Sequence, residues 1–300
     1  MNNKNLLHRF NIYQKERFPI AILIFTTLAV VLSSAAVVIP TEDKISNYVL
    51  EIIISSITLI LFLFHVRVID EYRDFGFDSK YHAERPIQRG IISLKEIFTL
   101  SIIGLIIQVV LNIYIAPRAF TFWLISFGYT IIAGKDFFVG KWIRKRFFLY
   151  NIINIFQMLF LQFYLYALFN PSFSFSNPLL LAHFVFVMFN LALLEFARKM
   201  KTNSEETKGK DTYSSRLGMK KASIVFMIIY VIVFSIFSYI FFKIDGNLIY
   251  YLISLFFINL ITLSTVLYLS LKNKKSTKFL EGSSGLFYIA MHLLLVLTKL

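Results

Sequence analysis

Residues 47–66 read NYVLEIIISSITLILFLFHV, a run of about 20 residues that, wound as a helix, matches the roughly 30 Å of hydrocarbon in a bilayer. Working outward from it, comparable apolar runs lie near 19–39, 97–116, 119–134, 147–169, 177–196, 222–242, 248–271 and 284–300, the last short and interrupted by His292. The composition agrees: 57% of the 300 residues are apolar, 16% are charged, and the mean hydropathy is +0.69. Soluble domains are rarely so apolar. The expected fold is an all-α integral membrane bundle of nine transmembrane helices, with residues 1–300 forming a single domain and residues 1–18 a cytoplasmic leader.

The net charge of +14 is a question of placement. Basic residues fall in alternate connections: Lys4, Arg9, Lys15 and Arg17 before the first span; Arg67, Arg73, Lys80, Arg85, Arg89 and Lys95 after the second. Lys135, Lys141, Arg144, Lys145 and Arg146 follow the fourth, and Arg198, Lys199, Lys201, Lys208, Lys210, Arg216, Lys220 and Lys221 the sixth. Lys272, Lys274, Lys275 and Lys278 follow the eighth. Of the 31 Lys and Arg residues, only Lys44, Arg118, Lys243 and Lys299 fall on the other side. Positive loops mark the cytoplasmic side, so the N-terminus is expected inside and the C-terminus outside, in a bacterial or archaeal inner membrane. Basic loops beside apolar spans account for the charge without nucleic acid.

The first apolar run follows a basic leader but is longer than the core of a signal peptide, and it is read as a span. No cysteine is present, which excludes disulfides, thiol nucleophiles and thiolate metal sites. The histidines at 8, 65, 82, 183 and 292 are scattered singly and read as polar contacts or loop residues.

Where the second run ends, the chain continues DEYRDFGFD at 70–78. On a helix Asp70, Asp74 and Asp78 are spaced i, i+4, i+8 along one stripe, with Glu71 at its flank. Carboxylates so close repel one another and are costly near a membrane, and a divalent cation relieves both. Mg²⁺ suits such a place, since it takes oxygen ligands, commonly one or two carboxylates plus substrate phosphate oxygens. The bland reading is a solvated helix end balanced by Arg67 and Arg73.

The segment ERPIQRGIIS at 84–93 follows, bearing Arg85, Pro86, Gly90 and Ser93. Together the two stretches resemble the first signature of the UbiA superfamily of intramembrane prenyltransferases, N-D-x-x-D-x-x-x-D followed by R-P-x-x-x-G-x-I-S. Asp70 stands at the signature's Asn, Glu71 at its first Asp, and Asp74 and Asp78 at the other two. The second signature, D-x-x-x-D with a later G-x-x-T-x-x-x-x-x-G, is divergent. GKDTYSSRLG at 209–218 supplies Gly209, Thr212 and Gly218, but EFARKMKTNSEE at 195–206 offers Glu195 near the first Asp and Lys199 four residues on. Either Glu195 with Glu205 holds a second cation, or Arg198 and Lys199 replace its charge; a plain basic loop is the third reading.

The resemblance implies a nine-helix UbiA-like bundle and a Mg²⁺-dependent enzyme that moves an isoprenyl group from an isoprenyl diphosphate to an apolar or aromatic acceptor. It implies metal ligands at Asp70, Glu71, Asp74, Asp78, Glu195 and Glu205, and diphosphate contacts at Arg85, Lys135, Lys141, Arg198 and Lys199, with Asp74, Arg85 and Lys135 central to catalysis. Tyr129 and Lys135 stand where similar proteins carry a Tyr and a basic residue near the diphosphate. Some members cyclise the prenyl chain instead, and the ionisation chemistry serves both outcomes. A transporter is the rival of another class. It predicts acids spread at mid-membrane depth, whereas these gather at one rim. The 34 Phe residues discriminate nothing, being routine in lipid-facing and packed positions alike.

Overall fold

The computed structural model describes residues 5–299 apart from 41, 207, 208 and 210. Lys4, Lys208 and Lys210, counted among the basic residues above, lie outside the described residues. The described chain is helical, without a strand. In order it forms α1 (Leu6–Arg17), α2 (Ile20–Val38), α3 (Val49–Arg73), α4 (Phe75–Tyr81), α5 (Leu94–Ile115), α6 (Pro117–Gly134) and α7 (Gly140–Ile143). Then come α8 (Phe147–Phe169), α9 (Pro178–Arg198), α10 (Tyr213–Leu217), α11 (Met219–Lys243), α12 (Leu248–Leu271) and α13 (Lys274–Leu297).

Among the described residues, eight helices are long and apolar enough to cross a membrane: α2, α3 with the turn before it, α5, α8, α9, α11, α12 and α13. Against the nine expected, the difference is α6, a helix of 18 residues whose apolar content is diluted by Arg118, Gly128, Thr130 and Gly134. Exposed Ile103, Ile106 and Val110 on α5, and Ile224, Ile228 and Val231 on α11, recur at three- and four-residue intervals, the pattern of a lipid-facing helix surface.

One boundary differs from the sequence reading. The last span begins at Lys274 rather than near 284, so Lys274, Lys275 and Lys278 lie in the first turns of a helix and not in a connection. Asn273 starts it by accepting from the Ser276 amide in a capping box, which a hydropathy scan does not register. The leader is likewise structured: α1 opens on an Asn5 cap and buries Tyr13.

The described chain divides into two compact units, one of residues 1–28 and 49–171, the other of 29–48 and 172–300. In the first, α3 packs on α5 and α6 on α8. Buried amides and hydroxyls pin these helices: Asn112 Nδ2 donates to Thr58 Oγ1 (3.1 Å), Trp123 Nε1 to Gln108 Oε1 (3.0 Å), and His65 pairs with Ser101 (2.6 Å). Such bonds between membrane helices contribute about 0.6 kcal/mol each on average. In the second unit, α9 packs on α11 and α12 on α13, with Ser283 donating to Ser264 (2.7 Å) and His292 Nδ1 bonded to Ser33 Oγ (2.6 Å).

Candidate active site

In the first unit α3 ends at Arg73, Asp74 departs from helical geometry (φ −99°, ψ 5°), and α4 resumes at Phe75. The turn stays nearly helical, because the Asp74 amide still donates to Asp70 O (2.9 Å) and the Asp78 amide to Asp74 O (2.8 Å). The stripe of aspartates drifts toward flanking Glu71 along the turn. At 3.6 residues per turn, positions 74, 78 and 71 lie about 40°, 80° and 100° around the axis from position 70. Asp78 therefore falls beside Glu71 rather than beside Asp70. The side chains of Asp70 and Asp74 are 32% and 35% exposed, those of Glu71 and Asp78 only 1% and 3%.

Arginines sort the same two pairs. Arg73 Nη2 lies 2.6 Å from Asp70 Oδ1 and 3.4 Å from Asp74 Oδ2. Glu71 Oε1 receives Arg17 Nε (2.9 Å) and Arg67 Nη2 (3.0 Å), and Asp78 Oδ2 is ion-paired with Arg85 Nη1 and, at 3.7 Å, with Arg17 Nη2. Burying two carboxylates is tolerable only because guanidiniums surround them. Arg67 and Arg73, the balancing residues of the bland reading, are both in place, but they serve different acids.

The segment after α4 is held to this motif from both sides. The Ile91 amide donates to Pro86 O (2.9 Å) and the Gly90 amide to Ile87 O (3.0 Å), closing a turn in which Gly90 takes φ +70°, left-handed and natural to glycine. Ser93 and Glu96 form the capping box that opens α5, and both Glu96 oxygens accept from Arg9 of α1 (2.6 and 2.9 Å). Glu16 of α1 accepts from Arg89 (2.6 Å). Beneath them Tyr13, Phe18, Phe64, Val68, Ile87, Ile92 and Ile97 form one apolar cluster. Helix α1 is thus a strap across the acidic motif, a role the sequence reading missed. The available signal was Arg9, Tyr13, Glu16 and Arg17 at i, i+4, i+7 and i+8, one face of a helix.

Lys135 follows α6, and Lys141 lies on α7; both are exposed. Between them Asp136, Phe137 and Phe138 are all left-handed (φ 50°, 55° and 59°), and Arg144 Nε holds buried Asp136 at 2.6 Å. The Tyr129 hydroxyl donates to Ile153 O of α8 (2.8 Å).

In the second unit, Glu195 is paired with Arg198 (2.7 Å) and Lys199 (2.9 Å). Glu205 Oε2 accepts from the hydroxyls of Thr277 (2.6 Å) and Thr202 (2.8 Å). Burial raises the Glu205 pKa, but these hydrogen bonds outweigh it and hold the carboxyl below its ordinary range. Glu206 accepts from Thr212 Oγ1 and Ser214 Oγ, both at 2.6 Å. Thr212 also caps α10, and Gly218 takes φ 76°, ψ 154°, a region essentially reserved for glycine. Glu195 and Glu205 therefore have different partners. Among the described residues, no three His, Cys, Asp or Glu side chains converge as a metal cluster. One Mg²⁺ with phosphate oxygens and water needs only one or two carboxylates, a requirement the part-exposed Asp70 and Asp74 fit.

The apolar spans make this a multi-pass integral membrane protein, with paired carboxylates and arginines at one helix end. The family model of the UbiA prenyltransferase family matches residues 22–291, and the chain belongs to that family. Its fold is similar to the apo structure of a UbiA homologue from Aeropyrum pernix K1, with a TM-score of 0.67 at 13% identity over 93% of this chain and 98% of that one. It is also similar to the structure described for digeranylgeranylglyceryl phosphate synthase in membranes, with a TM-score of 0.59 at 16% identity over 97% and 99%. No curated protein matches the sequence.

Proposed function

We propose that the whole chain acts as one catalytic domain, transferring an isoprenyl group from an isoprenyl diphosphate to an apolar or aromatic acceptor in a Mg²⁺-dependent reaction. The observation that carries this is the division of the acidic motif into a buried, arginine-locked pair and a part-exposed pair. Asp70 and Asp74 are the ligands for a Mg²⁺ ion, which supplies positive charge against the departing diphosphate. Asp78 is ion-paired with the Arg85 guanidinium, which meets phosphate oxygens in the forked geometry arginine favours. Glu71 keeps Arg17 and Arg67 in register beneath them rather than serving as a ligand. Lys135 and Lys141, exposed on flexible stems, close on the diphosphate as point charges. Arg198 and Lys199, gathered on Glu195, supply the cationic side chains of the second signature. With α6 taken as the ninth crossing, the basic loops favour the cytoplasmic side for this machinery, the N-terminus inside and the C-terminus outside.

The test is Asp74→Ala in purified full-length protein, assayed for diphosphate release from a panel of isoprenyl diphosphates with Mg²⁺, with lipid products identified by mass spectrometry. Loss of one electrostatic partner of the leaving group should slow release on the order of 10²-fold or more. Unchanged release removes the acidic motif from the mechanism, and cyclic products formed without an acceptor replace transfer by cyclisation.

A further inference from the structure

Arg73 lies within the sequence of the motif, yet no signature position accounts for it. Its side chain is only 9% exposed. Besides bridging Asp70 and Asp74, it has a second set of contacts on α8: Nη1 donates to Asn154 Oδ1 (3.3 Å), and the guanidinium carbon lies 5.3 Å from the centre of the Tyr150 ring. It thus sits between two seats, one anionic and one made of an amide oxygen and an aromatic face.

We propose that Arg73 is a resident cation of the Asp70–Asp74 pair and that a divalent ion binds there by exchange, the guanidinium withdrawing to Asn154 and the Tyr150 face. This rests on the reading of Asp70 and Asp74 as metal ligands under Proposed function. A charge at hydrogen-bond distance from both carboxylates repels an incoming cation and competes for the same lone pairs. Cation–π attraction and the Asn154 carbonyl stabilise the withdrawn guanidinium without carboxylates. The metal site is thereby tuned to weak occupancy until phosphate oxygens complete the coordination.

The experiment is a Mn²⁺ titration of the purified full chain without substrate, with free Mn²⁺ read by electron paramagnetic resonance. Arg73→Gln should bind Mn²⁺ about tenfold more tightly than wild type, a value reduced from the full Coulomb effect because the acids are part-exposed. Arg73→Lys, which keeps a charge but not the fork, should fall between them and carries the test if Arg73→Gln does not fold. Tyr150→Leu, which removes one withdrawn contact, should weaken Mn²⁺ binding. Equal affinity in wild type and the Arg73 variants overturns the exchange. Asp74→Asn separates the two ideas. If it abolishes Mn²⁺ binding while the Arg73 variants change nothing, only the exchange fails; if it leaves binding untouched, the metal reading of the pair fails as well.

Discussion

Helix α1 makes a quantitative prediction because its Arg17 serves two buried carboxylates at once. In Arg17→Gln, Glu71 loses a guanidinium contact at 2.9 Å and Asp78 one at 3.7 Å, but Glu71 keeps Arg67 at 3.0 Å and Asp78 keeps Arg85. Stripping a buried charge of its sole partner costs about 3–5 kcal/mol. Here each acid retains one partner, so the loss is nearer to one hydrogen bond to a charged group, about 1.5–3 kcal/mol. Glu71→Gln is the reciprocal change, and it leaves Arg17 and Arg67 facing each other without their shared carboxylate. The double variant removes both the stranded anion and one of the opposed cations, so its loss should be smaller than the sum of the singles, with a coupling of about 1–3 kcal/mol. Midpoints of thermal unfolding of the full chain, followed by fluorescence-detected size exclusion in one detergent, provide the cycle. Additive losses, or an Arg17→Gln midpoint equal to wild type, would refute the strap and return α1 to a passive leader.

Two further outcomes concern the second unit. Gly218 occupies φ 76°, ψ 154°, so Gly218→Ala should destabilise the chain by about 1–3 kcal/mol although open space surrounds the added Cβ; an unchanged unfolding midpoint would refute the strain. Glu205 is held below its ordinary pKa by Thr277 and Thr202, so its contribution is present above the unfolded-state value and lost as pH falls through the depressed one. Limited proteolysis at the lysines near 199–201 should therefore accelerate on acidification, and Thr277→Val should move the onset to higher pH; identical profiles would show that the carboxylate does not secure the loop.

The apolar spans were legible because hydrocarbon thickness and backbone hydrogen bonding leave a long helix as almost the only solution. Helix starts were less so: α13 opens on KKSTKFLEGS, whose capping box is a matter of side-chain geometry rather than hydropathy. At the site, spacing placed the acids on neighbouring helix positions but could not show their burial: the 80° drift across eight residues carries Asp78 toward flanking Glu71, where both are buried. Glu71 and Asp78 thus share a face, and that face is where α1 docks. Its polar contacts were hidden because a helix carrying His8, Arg9, Asn11, Gln14, Lys15, Glu16 and Arg17 reads as solvated unless its partners, 54 to 87 residues away, are known. In the second signature the residue types do not reveal the surroundings: Glu205 is an acid near an expected aspartate, and its Oε2 accepts from two threonine hydroxyls, one of them 72 residues distant. Nor does the sequence specify the acceptor or the donor's chain length, since many apolar side chains can line a lipid-binding cavity of a given shape. Charge pairing is a property of the fold: of the acids in the two signatures, Asp70 and Asp74 combine adjacency, partial exposure and a shared arginine, which is why the metal is proposed there.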